Sequence, residues 1–240
     1  MTLRPHLERS IYWFGILGML AALLGAYGSG WGWWPFTTGF LFVGIGAVCA
    51  LATVVLAIVA WRLNRDNGGS GGFVRFALLL ALILLALIGY WFVRGASYPQ
   101  IHDVTTNSAD PPAFKALTLR EDNLIGVYNI DNWRKAHDGA YSDIRPVVLA
   151  VTPDQAIAKA KTLIEARGWE VAADDGGRIE ATDTITPFRF KDDVVIVATP
   201  ENGGAATRID MRSVSRVGVS DLGVNAERLR AFLRDLQSAE

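Results

Sequence analysis

The sequence predicts two unlike parts: an N-terminal region of three transmembrane helices, then an α+β soluble domain whose mainly antiparallel sheet is covered by helices. Three observations predict this. Residues 1–97 hold three long runs without a charge. Residues 98–240 alternate between strand and helix periods with turn residues between them. The 51% hydrophobic content of the 240-residue chain averages the two parts and describes neither.

The charge-free runs are Ile11 to Tyr27 (17 residues), Phe36 to Trp61 (26) and Phe76 to Val93 (18), the last preceded by Phe73 and Val74. A helix crosses a hydrocarbon layer of about 30 Å with roughly 20 residues. The expected anchor is therefore residues 1–97, with spans at about 11–27, 36–61 and 73–93. Arg4 and Arg9 also give the first run the start of a signal peptide. Its length and the two spans that follow favour retention as a helix.

Arginines set the expected orientation. Arg4 and Arg9 precede span one, Arg62, Arg65 and Arg75 surround the second connection, and Gly28 to Pro35 carries no charge. The positive-inside rule puts the N-terminus and the second connection in the cytoplasm and the C-terminal domain outside. Arg94, after span three, runs against this but can snorkel to the headgroups.

Trp31, Trp33 and Trp34 in the first connection, with Trp13, Trp61 and Trp91 near span ends, suit the membrane interface. Gly18, Ala22 and Ala26 recur every fourth residue, with Ala21 and Gly25 beside them. Such small faces let helices approach closely, within the chain, with a second copy, or with another envelope protein. No Asp, Glu, Lys, Arg or His interrupts the inferred hydrocarbon portions of the spans, which disfavours a proton or ion pathway. Cys49, the only cysteine, lies in span two, so the outer domain has no thiol nucleophile, disulfide or Cys-ligated metal.

Residues 98–240 hold 17 Lys and Arg against 22 Asp and Glu, a formal net of −5, which gives no support to nucleic-acid binding. Residues 98–145 read as a tether and an extended or loop region. The first section is polar and proline-containing, with Asp110 and Pro111 able to start a short helix. The aromatics of 121–145 have no durable period.

The α+β core occupies 146–240. "RPVVLAV" reads as a strand; Thr152, Pro153 and Gln155 then form a helix start, Ile157, Ala160, Leu163 and Ile164 an apolar stripe, and Gly168 a stop. "WEVAA" and "RIEATDT" form one hairpin, "DVVIVAT" and "ATRIDMRSV" another across Asn202-Gly203-Gly204. The last strand turns Ile209 and Met211 one way and Arg208, Asp210 and Arg212 the other. A final helix begins near Ser220 or Asp221, its apolar face running from Leu222 through Ala226, Leu229 and Leu233 to Leu236.

One stretch between strand and helix is rich in chemistry: "RSVSRVGVSDLGVN", residues 212–225. As an anion site it would use Arg212 and Arg216 for bidentate contacts, Ser213, Ser215 and Ser220 for hydroxyls, and Asp221 and Asn225 at the helix start. As a connection, the same charges satisfy one another, and this second reading is favoured. In "PFRFKDD", residues 187–193, Arg189 and Lys191 alternate with Phe188 and Phe190, either beside an anionic ligand or lipid headgroups or as plain in-and-out alternation. Asp192 and Asp193 face opposite ways on a strand and complete no metal motif. No cofactor motif and no catalytic triad is legible.

"DPPAF", "YSDIRPVVL", "GRIEATDT", "FRFKDDVVI" and above all "IDMRSVSRVGVSDLGVNAERLRAFL" resemble the bacterial family known as domain of unknown function 1499, over roughly residues 101–237. The resemblance implies an α+β module, often envelope-associated, and transfers no reaction or catalytic set. With the spans, it leads to an expected place in the bacterial inner membrane with a periplasmic domain. The leading expectation is a membrane-anchored binding or scaffolding module in contact with membrane lipids. The alternatives are a hydrolase or transferase for an anionic lipid or cell-wall precursor, using Arg189, Lys191, Arg212 and Arg216 with Asp193 or Asp221 as base, and an assembly factor for a membrane complex.

Overall fold

The computed structural model describes residues 3–63 and 71–238. Arg65, which the charge pattern assigns to the second connection, lies outside the described residues. The chain divides into two compact units: Met1–Val93 with Thr186–Arg189, and Arg94–Ile185 with Phe190–Glu240.

The first unit contains α1 (Leu3–Gly30), α2 (Phe36–Leu63) and, as far as Val93, α3 (Gly72–Ser97). Their 28, 28 and 26 residues each measure about 40 Å at 1.5 Å per residue, more than the hydrocarbon layer requires. All three are long and apolar enough to cross a membrane. Their outward side chains are large and apolar: Leu41, Val48, Phe73 and Phe92 are each more than 60% exposed. Their inward side chains are mostly small, with Ala22, Ala50, Ala57, Ala60, Ala77 and Ala81 buried beside the larger Ile11, Val74 and Leu84.

The small face of α1 is used within the chain. A Cβ added at Gly25 would lie 2.6 Å from the Gly39 carbonyl oxygen, and one at Gly46 would lie 2.6 Å from that of Gly18. No side chain fits there, so the α1 and α2 backbones pack directly, as small residues permit in a medium that gives helices no hydrophobic drive to associate. Trp34 closes the first connection by donating its indole N–H to the Gly25 carbonyl at 3.2 Å.

The second unit runs β1 (Asp103–Thr105), α4 (Ile130–Ala140), β2 (Val147–Leu149), α5 (Pro153–Ala166), β3 (Glu170–Asp174), β4 (Arg178–Ile185), β5 (Phe190–Glu201), β6 (Ala206–Ser215) and α6 (Val224–Ser238). The strands form one antiparallel sheet in the order β1-β6-β5-β4-β3, with β2 pairing farther along β6. The core lies between this sheet and the helices. Ile164 of α5 and Leu229, Phe232 and Leu236 of α6 are buried with Ile179, Ile196, Ile209 and Met211 of the sheet.

Local chemistry sets the α5 boundaries. The Thr152 side chain accepts from the Gln155 amide while Gln155 accepts from the Thr152 amide, with Pro153 opening the helix. Gly168, at φ +67°, ends it.

Four expectations are corrected. The segment from residue 98 is not a free tether: Ile101 to Thr106 are buried, and β1 pairs with β6. Its polar residues find partners in the fold, so polarity did not mean exposure. No helix follows Asp110 and Pro111; those residues lead into an irregular stretch laid on the sheet. Within 121–145 stands α4, started by Asn129, whose side chain accepts from the Asn132 amide. Finally, α6 begins at Val224, and Leu222 lies in the turn before it at φ +56°.

Helix α4 covers the outer edge of β1. The Trp133 indole N–H donates to the Asp103 carbonyl at 3.0 Å, and the Thr105 amide donates to His137 Nε2 at 3.2 Å. His137 Nδ1 therefore carries the proton and donates to Asp138, a bond that holds the Asp138 carboxyl below its ordinary value.

Replacing Gly25 with Val should force α1 from α2 and destabilise the full chain in detergent by about 1–3 kcal/mol, the usual cost of overpacking. Gly44→Val is the control, since nothing lies within 4 Å of a Cβ there. Equal thermal unfolding of the two variants would contradict the direct backbone packing.

Candidate functional site

Strand register decides which side chains meet. On the face toward α5 and α6, Ala181, Val194 and Ser213 form one row, and Asp183, Asp192 and Ser215 the next. On the opposite face the rows are Glu180, Val195 and Arg212, then Thr182, Asp193 and Val214. The residues of the 212–225 stretch are thereby divided between two polar networks on opposite sides of the sheet.

On the outer face, Arg212 grips Asp103 with both arms of its guanidinium, at 2.9 and 2.6 Å, while Asn123 donates to the same carboxylate at 2.6 Å. The Asp103 side chain is only 2% exposed, so it has little water to replace the arginine. Arg212 also donates to the Pro112 carbonyl and lies over the Phe114 ring. Beside it, buried Glu180 accepts three consecutive amides, those of Lys115, Ala116 and Leu117, at 2.6 to 2.9 Å. That one carboxylate fastens the irregular stretch to the sheet. Arg216 grips Asp193 at 2.9 and 2.8 Å and reaches Thr182, and the carboxylate holds Arg216 above its ordinary pKa.

On the inner face, Arg228 of α6 pairs with Asp192 at 2.7 Å and Asp183 at 2.9 Å, and donates to Ser213 and Asn225. Asn225 is fully buried. Its carbonyl oxygen accepts from Ser213, and its amide donates to Ser215 and to the His102 carbonyl. Asp221 tops the helix by accepting from the amides of Gly223 and Asn225, at 2.9 and 2.7 Å. Burial raises its pKa against the lowering effect of those two bonds. Ser220 donates to the Pro99 carbonyl and accepts from the Leu222 amide. At Gly223, φ is +80° and the Tyr98 ring occupies the place of a Cβ, so only glycine fits.

Of the sequence-predicted residues, Ser213 and Asn225 meet directly, with Asp221 bonded to the Asn225 backbone. Arg212 and Arg216 bind separate carboxylates on the other face. Lys191 is exposed on β5, and its carbonyl accepts from the Arg216 amide. Arg189 stands in the β4–β5 turn at φ +56°. Sequence reasoning missed Asp103, Glu180, Asp183 and Arg228 and overlooked the pairing role of Asp192. One signal was present: Arg228 interrupts the inward stripe formed by Asn225, Leu229 and Phe232. Among the described residues, no group of three His, Cys, Asp or Glu is placed to hold a metal ion.

Residues 103–236 match the model of a protein family of unknown function, DUF1499. The chain belongs to that family. The DUF1499 match runs from β1 into α6 and so takes in both polar networks. No curated protein matches the chain. Among solved structures, DR_A0006 of Deinococcus radiodurans is 14% identical, with 39% of this chain and 92% of that one covered, at a TM-score of 0.28. MLL2253 of Mesorhizobium loti is 16% identical over 39% and 95%, at 0.28, and TTHA0849 of Thermus thermophilus is 14% identical over 39% and 92%, at 0.25. Similarities this distant transfer neither a site nor a reaction to the DUF1499 domain.

Arg212→Met should destabilise the chain by about 3–5 kcal/mol, because it leaves the buried Asp103 carboxylate unpaired. Adding Asp103→Asn should restore part of that loss, read as a coupling in a double-mutant cycle of chemical unfolding. Additive losses would mean that the pair is not coupled.

Asp221 gives a pH signature. Because its folded pKa is raised, its stabilising contribution is complete below the ordinary value of 3.8 and is lost as pH rises through the folded value. Asp221→Asn should remove that decline, seen as a wild-type minus variant difference in unfolding stability from about pH 3 to 7. Parallel profiles would contradict the assignment.

Proposed function

We propose that the protein is a membrane-anchored binding or scaffolding module, with its N-terminus in the cytoplasm and its DUF1499 domain on the periplasmic side of a bacterial inner membrane. The anchor reading is supported by three helices long and apolar enough to cross a membrane. The orientation is supported by Arg4 and Arg9 at the N-terminal end of α1 and the arginines around the α2–α3 connection, against an uncharged α1–α2 connection.

The observation that carries the binding reading is the mutual satisfaction of the most reactive-looking side chains. Arg212 is held by Asp103, Arg216 by Asp193, and Asn225 by Ser213, Ser215 and Arg228. Groups tied to one another hold a shape, whereas acid–base catalysis needs a group poised against a substrate proton. The sheet and its two networks therefore serve as a rigid frame for a surface that recognises something else.

Two measurements test this. In a Cys49→Ala background, a cysteine placed at exposed Asp175 should react with a membrane-impermeant maleimide in cells whose outer membrane alone is opened. Reaction only after inner-membrane rupture would reverse the orientation. Native mass spectrometry of the full chain extracted with its surrounding lipid should show a retained protein, lipid or glycan, and a chain that consistently emerges bare would refute the binding reading.

A further inference from the structure

A different part of the second unit has the charges that the 212–225 stretch lacks in free form. Between α6 and the α4–β2 connection is a depression of about 180 Å³, open to solvent, lined by Asp143, Ile144, Arg145, Val147, Arg230, Leu233, Arg234 and Gln237. Ile144 and Leu233 are buried and Val147 partly so, giving an apolar floor. Around it stand three guanidiniums and one carboxylate, a local excess of positive charge on a domain whose overall balance is negative.

The three arginines differ in how firmly they are held. Arg230 is fixed by Asp143, which it grips at 2.6 and 2.7 Å, and it lies over the Tyr141 ring. The pair depresses the Asp143 pKa and raises that of Arg230. Arg145 uses its Nε on the Ser142 carbonyl, and among the described residues its two terminal nitrogens have no hydrogen-bond partner. Arg234 is 72% exposed and comes no closer than 3.9 Å to Asp235. One fixed arginine and two with donors to spare, above an apolar floor, are the groups that an oxyanion with a short apolar stem would need. Guanidiniums take the oxyanion in bidentate fashion, and the floor takes the stem.

We infer that this depression binds a small amphiphilic oxyanion, a phosphate or carboxylate on a stem of about four carbons, with Arg145 and Arg234 closing on the charge. The inference rests on the binding reading above and gives it a ligand class. The ligand can reach the site as a soluble compound or as part of an anionic lipid, since the recognised chemistry is the same.

The test uses the full chain in nanodiscs of zwitterionic lipid, titrated with butyl phosphate, inorganic phosphate and butanol. Butyl phosphate should bind at least tenfold more tightly than either fragment, and the exposed double variant Arg145→Gln/Arg234→Gln should lose at least tenfold in affinity. Gln237→Glu, which adds a negative charge at the rim, should weaken binding in the same direction without touching an arginine. Competition by anionic lipid in the nanodisc assigns the ligand to the membrane, and its absence assigns it to the soluble phase. Equal binding by wild type and the double variant, or equal affinity for phosphate and butyl phosphate, overturns the inference. Native spectra of both proteins separate the two failures: a species retained equally by both removes this site and keeps the binding module, whereas two bare chains remove the module itself.

Discussion

Arg228 is the constraint on which the second unit depends. A guanidinium only 5% exposed, carried on the inward face of α6, must find anions wherever that helix comes to rest. Asp192 and Asp183 supply them from adjacent strands, while Asn225 and Ser213 take its remaining donors. Apolar packing of Leu229, Phe232 and Leu236 would tolerate some sliding of the helix along the sheet. A buried charge with fixed partners does not, since one turn of slippage would strand three ions at once.

The same logic recurs on the other face with different means. Asp103 and Glu180 are both buried, but one is neutralised by an arginine and the other is satisfied by three backbone amides. The first ties β1 to β6, and the second ties down a stretch with no secondary structure of its own. Polar residues thus fix positions on both sides of the sheet, while the apolar core supplies the general drive to collapse.

The three spans, the α5 capping box and the β3–β6 hairpins were legible because each is written locally: in runs without charge, in Thr152-Pro153-Asp154-Gln155, and in alternation interrupted by glycine turns. What stayed hidden was held by distant partners. β1 is three residues long and exists because β6 lies beside it, and α4 has a polar sequence whose inward residues, Trp133 and His137, complete an edge formed elsewhere. The candidate stretch at 212–225 was visible as chemistry, but its division between two faces required the register. The Arg145, Arg230 and Arg234 depression joins a connection to a helix more than eighty residues later, and no pattern in the sequence brings those positions together.

The cover that α4 gives to β1 has a further consequence. An open strand edge invites pairing with another chain, and proteins that must stay discrete obstruct it. Here one side of the sheet is broken into two three-residue strands, with Trp133 and His137 taking up the Asp103 carbonyl and the Thr105 amide on the outward side of β1. The other side, β3, carries an irregularity between Val171 and Ala173 and ends in Glu170 and Asp174. Edge-to-edge pairing of sheets is thereby obstructed at β1 by a helix and hampered at β3 by a break in the strand's regularity.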